Sequence, residues 1–237
     1  MWSIVVPGLD PILNTVFWSA ATISLYFLSK RIHRRFPAAW LSPLVLTPVF
    51  LLVIALCLHT SYREYIGATH WLMIVLGPIT VAFAIPIYDK RVMILKYWPV
   101  LLFGIIVGSS TAMLSAWALA SLLSIDGALR LSLLPRSIST PFAMAISQNI
   151  GGVPDLTALF VVMTGVLGAA LGETLLRILP LKSSLARGAL FGMGAHGAGV
   201  AKANQIGAEE GSVAGLVMVL VGLVNVLAAP LLAFVLR

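Results

Sequence analysis

Charge is what this sequence has least of. Only 10% of its 237 residues are charged, 60% are hydrophobic, and the mean hydropathy is +1.04. Soluble domains carry about 25% charged residues because a water-facing surface needs them. Too few are present here to coat such a surface, so lipid is the expected solvent. Cysteine is nearly absent as well. The single Cys57 rules out an intrachain disulfide, cannot alone build a metal site or redox pair, and reads as a small buried hydrophobe. No cluster has metal-ligand spacing, no glycine-rich phosphate loop precedes a soluble helix, and no Gly-x-Ser-x-Gly elbow supports an intramembrane hydrolase. Neither an enzyme nor a cofactor is expected. In a soluble protein the net charge of +7 would suggest nucleic acid. In a membrane protein it reads as topology, and no nucleic-acid partner is expected.

Long apolar runs are abundant. A membrane helix needs roughly 20 apolar residues to cross about 30 Å of hydrocarbon. Charge-free stretches approaching or exceeding that length are Pro11–Ser29, Leu41–Tyr62, Ile66–Tyr88, Tyr97–Ile125, Leu156–Gly172 and Gly211–Leu236. Gly188–Ile206 adds a further span, interrupted by Lys202 and by glycines. No signal peptide is expected, since Asp10 rather than a basic residue precedes the first run. Lys30-Arg31-Ile32-His33-Arg34-Arg35 is the densest basic cluster, which places that loop in the cytoplasm and the N-terminus outside. The apolar part of Ser137–Pro154 is too short to cross comfortably and reads as re-entrant. Following the spans alternately, Lys90, Arg91 and Lys96 fall inside and Arg63, Arg130 and Arg136 outside. With Ser137–Pro154 not crossing, Arg177, Lys182, Arg187 and Arg237 fall inside, Glu210 outside, and the C-terminus is cytoplasmic.

The expected fold is therefore an all-α membrane protein with about seven transmembrane helices plus one re-entrant or half-length segment. It forms a single integral membrane domain over 1–237, with an N-terminal helix 11–29 and halves 41–125 and 137–237 related as inverted repeats. The middle span of each half is interrupted. One break is Leu76-Gly77-Pro78-Ile79-Thr80, where proline removes a helical hydrogen bond, and the other is the glycine-rich Gly192–Gly199. Paired discontinuous helices that cross at membrane depth point to a binding site. His196 and Lys202 are the titratable His, Lys, Asp or Glu side chains well inside these spans, and unwinding at Gly197 or Gly199 would bring the two together. Ser139, Thr140, Gln148 and Asn149, flanking Pro141 and Gly151-Gly152, suit either a polar cavity wall or the caps of a short helix. Glu209 and Glu210 read as an ordinary solvated turn.

The same residues carry a family resemblance. Leu134–Pro141, Gly151–Ala158, Leu76–Ala82 with Ile85–Tyr88, Thr164-Gly165 and His196–Gly211 together resemble the LrgB/CidB signature over nearly the whole chain. Departures are Ala195 for serine, Val200 for threonine, Lys202 for arginine and Gln148 for glutamate. The resemblance implies a multi-pass protein of the bacterial inner membrane, in one of two roles. The leading expectation is a secondary carrier of small hydroxy- or keto-carboxylates resembling glycolate, glycerate or pyruvate. In it, half-helix ends and side chains at Gly77, Pro78, Thr80, Ser139, Thr140, Pro141, Asn149, Gly151, Gly152, Gly197 and Gly199 surround the substrate, with His196 and Lys202 as its polar partners. The alternative is a holin- or antiholin-like pore or regulator of murein hydrolase export and cell lysis. A small LrgA/CidA-type membrane partner and homo-oligomers are expected in either case.

Overall fold

A computed structural model describes residues 11–36, 38, 41–82 and 84–235, and it is helical throughout. The chain divides into two compact units, Met1–Val81 and Ala82–Arg237. In the first, helix α1 (Pro11–Arg35) packs on α2 (Pro43–Cys57) and α3 (Tyr62–Ile74). Proline at its first turn starts α2, since the missing N–H would lack a partner there anyway. A capping box starts α3: Ser61 Oγ accepts from the Glu64 N–H while the Glu64 carboxylate accepts from the Ser61 N–H at 2.6 Å. Trp18 is the buried centre of this unit. Its ring meets Tyr65 edge-on, and one turn later Thr22 Oγ1 lies 3.0 Å from the Tyr65 hydroxyl. Cys57 is exposed, not buried, because it falls in the last turn of α2.

The expected span Ile66–Tyr88 is fragmented. Helix α3 ends at Ile74 and α4 (Leu76–Ala82) starts after Val75, at the Gly77-Pro78 pair, and α5 (Ala84–Asp89) follows.

The second unit is organised around three long helices: α6 (Arg91–Leu122), α9 (Pro154–Ile178) and α11 (Ala208–Val235). Between α6 and α9 the chain runs through α7 (Gly127–Leu133), a 3-10 turn (Leu134–Ser137) and α8 (Thr140–Ile150). Pro141 opens α8, and Gly151, at φ +89°, closes it in the left-handed conformation that glycine tolerates best. This segment doubles back on itself. Ser132, before the turn, and Ser147, after it, meet at the same threonine, Thr157, in the first turn of α9.

Between α9 and α11, α10 (Ser184–Ile206) also doubles back, contrary to the expected span. His196, at φ +46° and ψ −124°, breaks it. On an unbroken helix Phe191 and Gly199 would lie about 12 Å apart along the axis. Instead a Cβ on Gly199 would strike the Phe191 carbonyl, so the two arms lie against each other. Small residues make that approach possible on three sides. Gly172 of α9 faces the Phe191 ring, Gly192 faces the Ala214 backbone of α11, and Phe191 packs with Ala203 and Ala214.

Among the described residues four helices are long and apolar enough to cross a membrane: Ile12–Arg35, Arg91–Leu122, Pro154–Ile178 and Ala208–Phe234. The chain is a multi-pass helical membrane protein. The expected crossing at Gly188–Ile206 is corrected to a hairpin, because its returning arm packs beside its outgoing one.

Candidate functional site

The two hairpins approach the middle of α9 from opposite ends. The base of the first sits at Thr157, where Thr157 Oγ1 lies 2.7 Å from Ser147 Oγ and donates to the Ser132 carbonyl at 3.0 Å. Ser132 Oγ in turn accepts from the Val153 N–H at 2.7 Å. All three side chains are fully buried. Gly152 belongs to this base, because a Cβ there would crowd the Ser132 N–H at 3.0 Å and collide with Ser147 Oγ. Deleting a hydroxyl that holds such a network costs about 1–3 kcal/mol when partners are left unsatisfied. Thr157→Val is therefore expected to lower the unfolding temperature in detergent by several degrees, and Asn149→Ala, on the exposed face of α8, to leave it unchanged.

The base of the second hairpin is held by ion pairs near the other end of α9. Lys202 Nζ pairs with Glu173 at 2.8 Å, and Arg177 reaches the same carboxylate at 3.5 Å. Arg187 pairs with Glu210 at 2.8 Å, joining the first arm to α11. Glu210 is thus buried, not part of a solvated turn, because the fold-back returns the chain to the level of Arg187.

The tips meet at Thr164 and Gly165, midway along α9. Arg136, in the 3-10 turn of the first hairpin, donates to Thr164 Oγ1 at 3.5 Å. His196, at the tip of the second, is 97% buried, with its ring against the Ser137 backbone and in the field of Arg136. A Cβ on Gly165 would lie 3.3 Å from the Ala195 carbonyl and 3.8 Å from His196 Nδ1, so glycine is what lets the tip seat against α9. Ser139, at the N-cap position of α8, is buried with no hydrogen bond from Oγ. Neither ring nitrogen of His196 makes one of good geometry. The N-terminal ends of α8 and of the returning arm of α10 both begin at this junction, where the positive ends of the two helix dipoles converge. No ion pair among the described residues neutralises Arg136.

The expected site residues therefore separate into groups. Ser139, Thr140, Pro141, His196, Gly197 and Gly199 fall on the two tips. Asn149, Gly151 and Gly152 lie at the far end of α8, at the base of the first hairpin. Lys202 lies at the base of the second and is paired with Glu173, so it does not join His196. The cause is the fold-back itself: six residues of returning helix carry Lys202 about 9 Å from the tip. Gly77 and Pro78 are exposed and belong to the other unit, and the Thr80 side chain lies outside the described residues. Sequence reasoning misses Arg136, which it counts as an outer-loop charge, and Thr164. Both stand inside the family motifs, and the signal in Arg136 is its position between two prolines and apolar neighbours. Among the described residues no group of three or more His, Cys, Asp or Glu could hold a metal ion.

The profile of the LrgB-like family matches residues 22–235. The chain belongs to that family. It is 37% identical over 211 residues to Uncharacterized protein YwbG of Bacillus subtilis, covering 89% of this chain and 94% of the relative. Uncharacterized protein YxaC of the same organism is 33% identical over 213 residues, or 90% and 93% of the two chains. Holin-like protein CidB of Staphylococcus epidermidis is 30% identical over 220 residues, or 93% and 96%. No solved structure matches. The leading expectation of a carboxylate carrier is corrected by these matches, in which the relative whose name states a function is a holin-like protein.

Proposed function

We propose that this LrgB-like chain is a holin-like regulator of murein hydrolase export and cell lysis in the bacterial inner membrane. The observation that carries the reading is the identity to holin-like CidB along nearly the full length of both chains. The geometry supports it at one point. In this reading the two hairpins are re-entrant, their polar tips meet near the middle of the bilayer, and the tip contact separates the two water phases. A cation with no acidic partner, beside buried Ser139 and His196, costs several kcal/mol at that depth in a purely structural core. A junction that opens to water when the tips part recovers that cost. The tips are thus the gate, formed by Arg136, Ser139, Thr140, Pro141, Thr164, His196, Gly197 and Gly199. Lys202, Gly151 and Gly152 act on it from the hairpin bases.

The same reading reassigns one end of the chain. With α6 starting at the cytoplasmic Lys90, Arg91 and Lys96, the first hairpin enters from outside and the second from inside. Helix α11 then runs outward, so the C-terminus is external and the two hairpin units form an inverted pair around α9. A small LrgA/CidA-type membrane protein is the partner this role calls for, with the chain itself assembling as a homo-oligomer.

The test is controlled expression in a host deleted for its own family members, with lysis followed by turbidity and exported murein hydrolase by zymography. Wild type shifts both. Arg136→Gln, which removes the cation from the gate, is expected to reduce the change at least tenfold at equal membrane abundance. Unchanged lysis and zymograms in the wild-type strain against the empty host would overturn the function. A wild-type effect that Arg136→Gln leaves intact would overturn the gate alone.

A further inference from the structure

The C-terminal end of α1 carries a basic surface that the hairpin gate does not use. Lys30, Arg31, His33, Arg34 and Arg35 fall within two turns. No Asp or Glu occurs between Asp10 and Glu64, and Glu64 is engaged by Ser61 in the capping box. None of the ion pairs among the described residues involves Lys30, Arg31, Arg34 or Arg35. The negative end of the helix dipole offsets a fraction of this charge, about half a unit, and leaves the rest uncompensated.

The cluster borders a cavity of about 530 Å³ lined by Phe27, Leu28, Lys30, Arg31 and Arg34. At spacings of three, four and seven residues, Phe27, Lys30, Arg31 and Arg34 share one face of α1. Phe27 is 61% and Leu28 48% exposed, so the groove is apolar at its inner end and cationic at its outer end. That order matches the bilayer. About 20 residues of helix fill the hydrocarbon, which brings the chain from Pro11 to Lys30 and sets the basic side chains at headgroup level.

From this juxtaposition we propose that the Phe27–Arg34 face of α1 is a binding site for an anionic phospholipid. The upper part of an acyl chain lies on Phe27 and Leu28, and Lys30, Arg31 and Arg34 grip the phosphate. A free phosphate would use the cations but not the apolar floor. A phospholipid uses both, and charge complementarity selects the anionic class. The site is in the first unit and does not depend on the gate.

The experiment is native mass spectrometry of the full-length detergent-solubilised chain with phosphatidylglycerol or phosphatidylcholine added. The expected result is retention of phosphatidylglycerol at concentrations where phosphatidylcholine leaves no adduct. Each neutralised charge weakens binding about fivefold, so K30Q/R31Q/R34Q together lower affinity on the order of a hundredfold. The K90Q control does not change it. Phe27→Ser weakens phosphatidylglycerol but not inorganic phosphate, which separates the lipid from its headgroup. Should the triple variant be recovered unfolded, salt titration of wild type replaces it: retention falls steeply as ionic strength rises. Equal retention of both lipids, a salt-insensitive preference, or a triple variant that changes oligomeric mass while keeping its lipid would each overturn the site.

Discussion

Gly199→Val is expected to leave no folded protein in the membrane. The second hairpin exists because its arms touch at Gly199 and Phe191, and a Cβ there would overlap a backbone carbonyl. Side chains accommodate intruders by changing rotamer, whereas a carbonyl moves only with its helix. The outgoing arm cannot yield, because Phe191 is held on its far side by Gly172 of α9 and on its flank by Ala203 and Ala214. Pushing the arms apart would also draw Lys202 from Glu173, to which it is paired at 2.8 Å. Overpacking a single site costs about 1–3 kcal/mol. Here one substitution opposes several close approaches at once, and total stabilities are only about 5–15 kcal/mol. The control lies on the outgoing arm. A Cβ on Gly194 would meet nothing within 4 Å, and Gly194→Ala replaces a poor helix former with the best one. Membrane-fraction immunoblots and size-exclusion after heating should show Gly199→Val absent and Gly194→Ala at the wild-type level. Normal accumulation of Gly199→Val would mean that α10 is not doubled back in the membrane.

How far the sequence foretells this arrangement depends on which interaction decides each feature. Helices α1, α6, α9 and α11 are legible because hydrocarbon thickness and absence of charge fix their length and position almost alone. Ser137–Pro154 is legible only as an apolar stretch too short to cross; its pairing with α7 upstream, which makes the hairpin, is not. The break in α10 is visible as glycine density, yet its consequence is not. Glycines license a bend without stating its direction, and the residue that adopts the positive φ is His196. What turns the chain back is contact with Gly172 of α9 and Ala214 of α11, neither of them local to the bend. With α10 read as crossing, its charges follow wrongly. Lys202 falls beside His196, and Arg187 and Glu210 fall on opposite sides. Arg136 is lost to the same reasoning, since a positive charge near a span end counts as topology. An arginine in the turn of a hairpin, set against the middle of α9, violates the assumption behind that rule, that charges mark the loops outside the bilayer.

The base of the second hairpin supplies the sharpest energetic test of the fold-back. Glu210 is buried with a side-chain exposure of 9%, and Arg187, at 36%, is its ion-pair partner at 2.8 Å. Removing Arg187 strands a buried carboxylate in a site where water replaces the guanidinium only in part. Breaking a fully buried pair this way costs about 3–5 kcal/mol. The half-exposed arginine places the expected cost for Arg187→Ala nearer the lower end, about 2–3 kcal/mol. Removing both partners abolishes the stranded charge, so Arg187→Ala/Glu210→Leu should recover most of that loss. The surface pair Arg130 with Asp126, one turn apart on exposed backbone, should show coupling of less than about 1 kcal/mol. Denaturant titration in a mild detergent measures all four corners of each cycle. Strong coupling at Arg187 and Glu210 requires that the start of α10 and the start of α11 lie at one end of the protein. A crossing α10 would hold those residues a membrane thickness apart, and the two substitutions would then simply add.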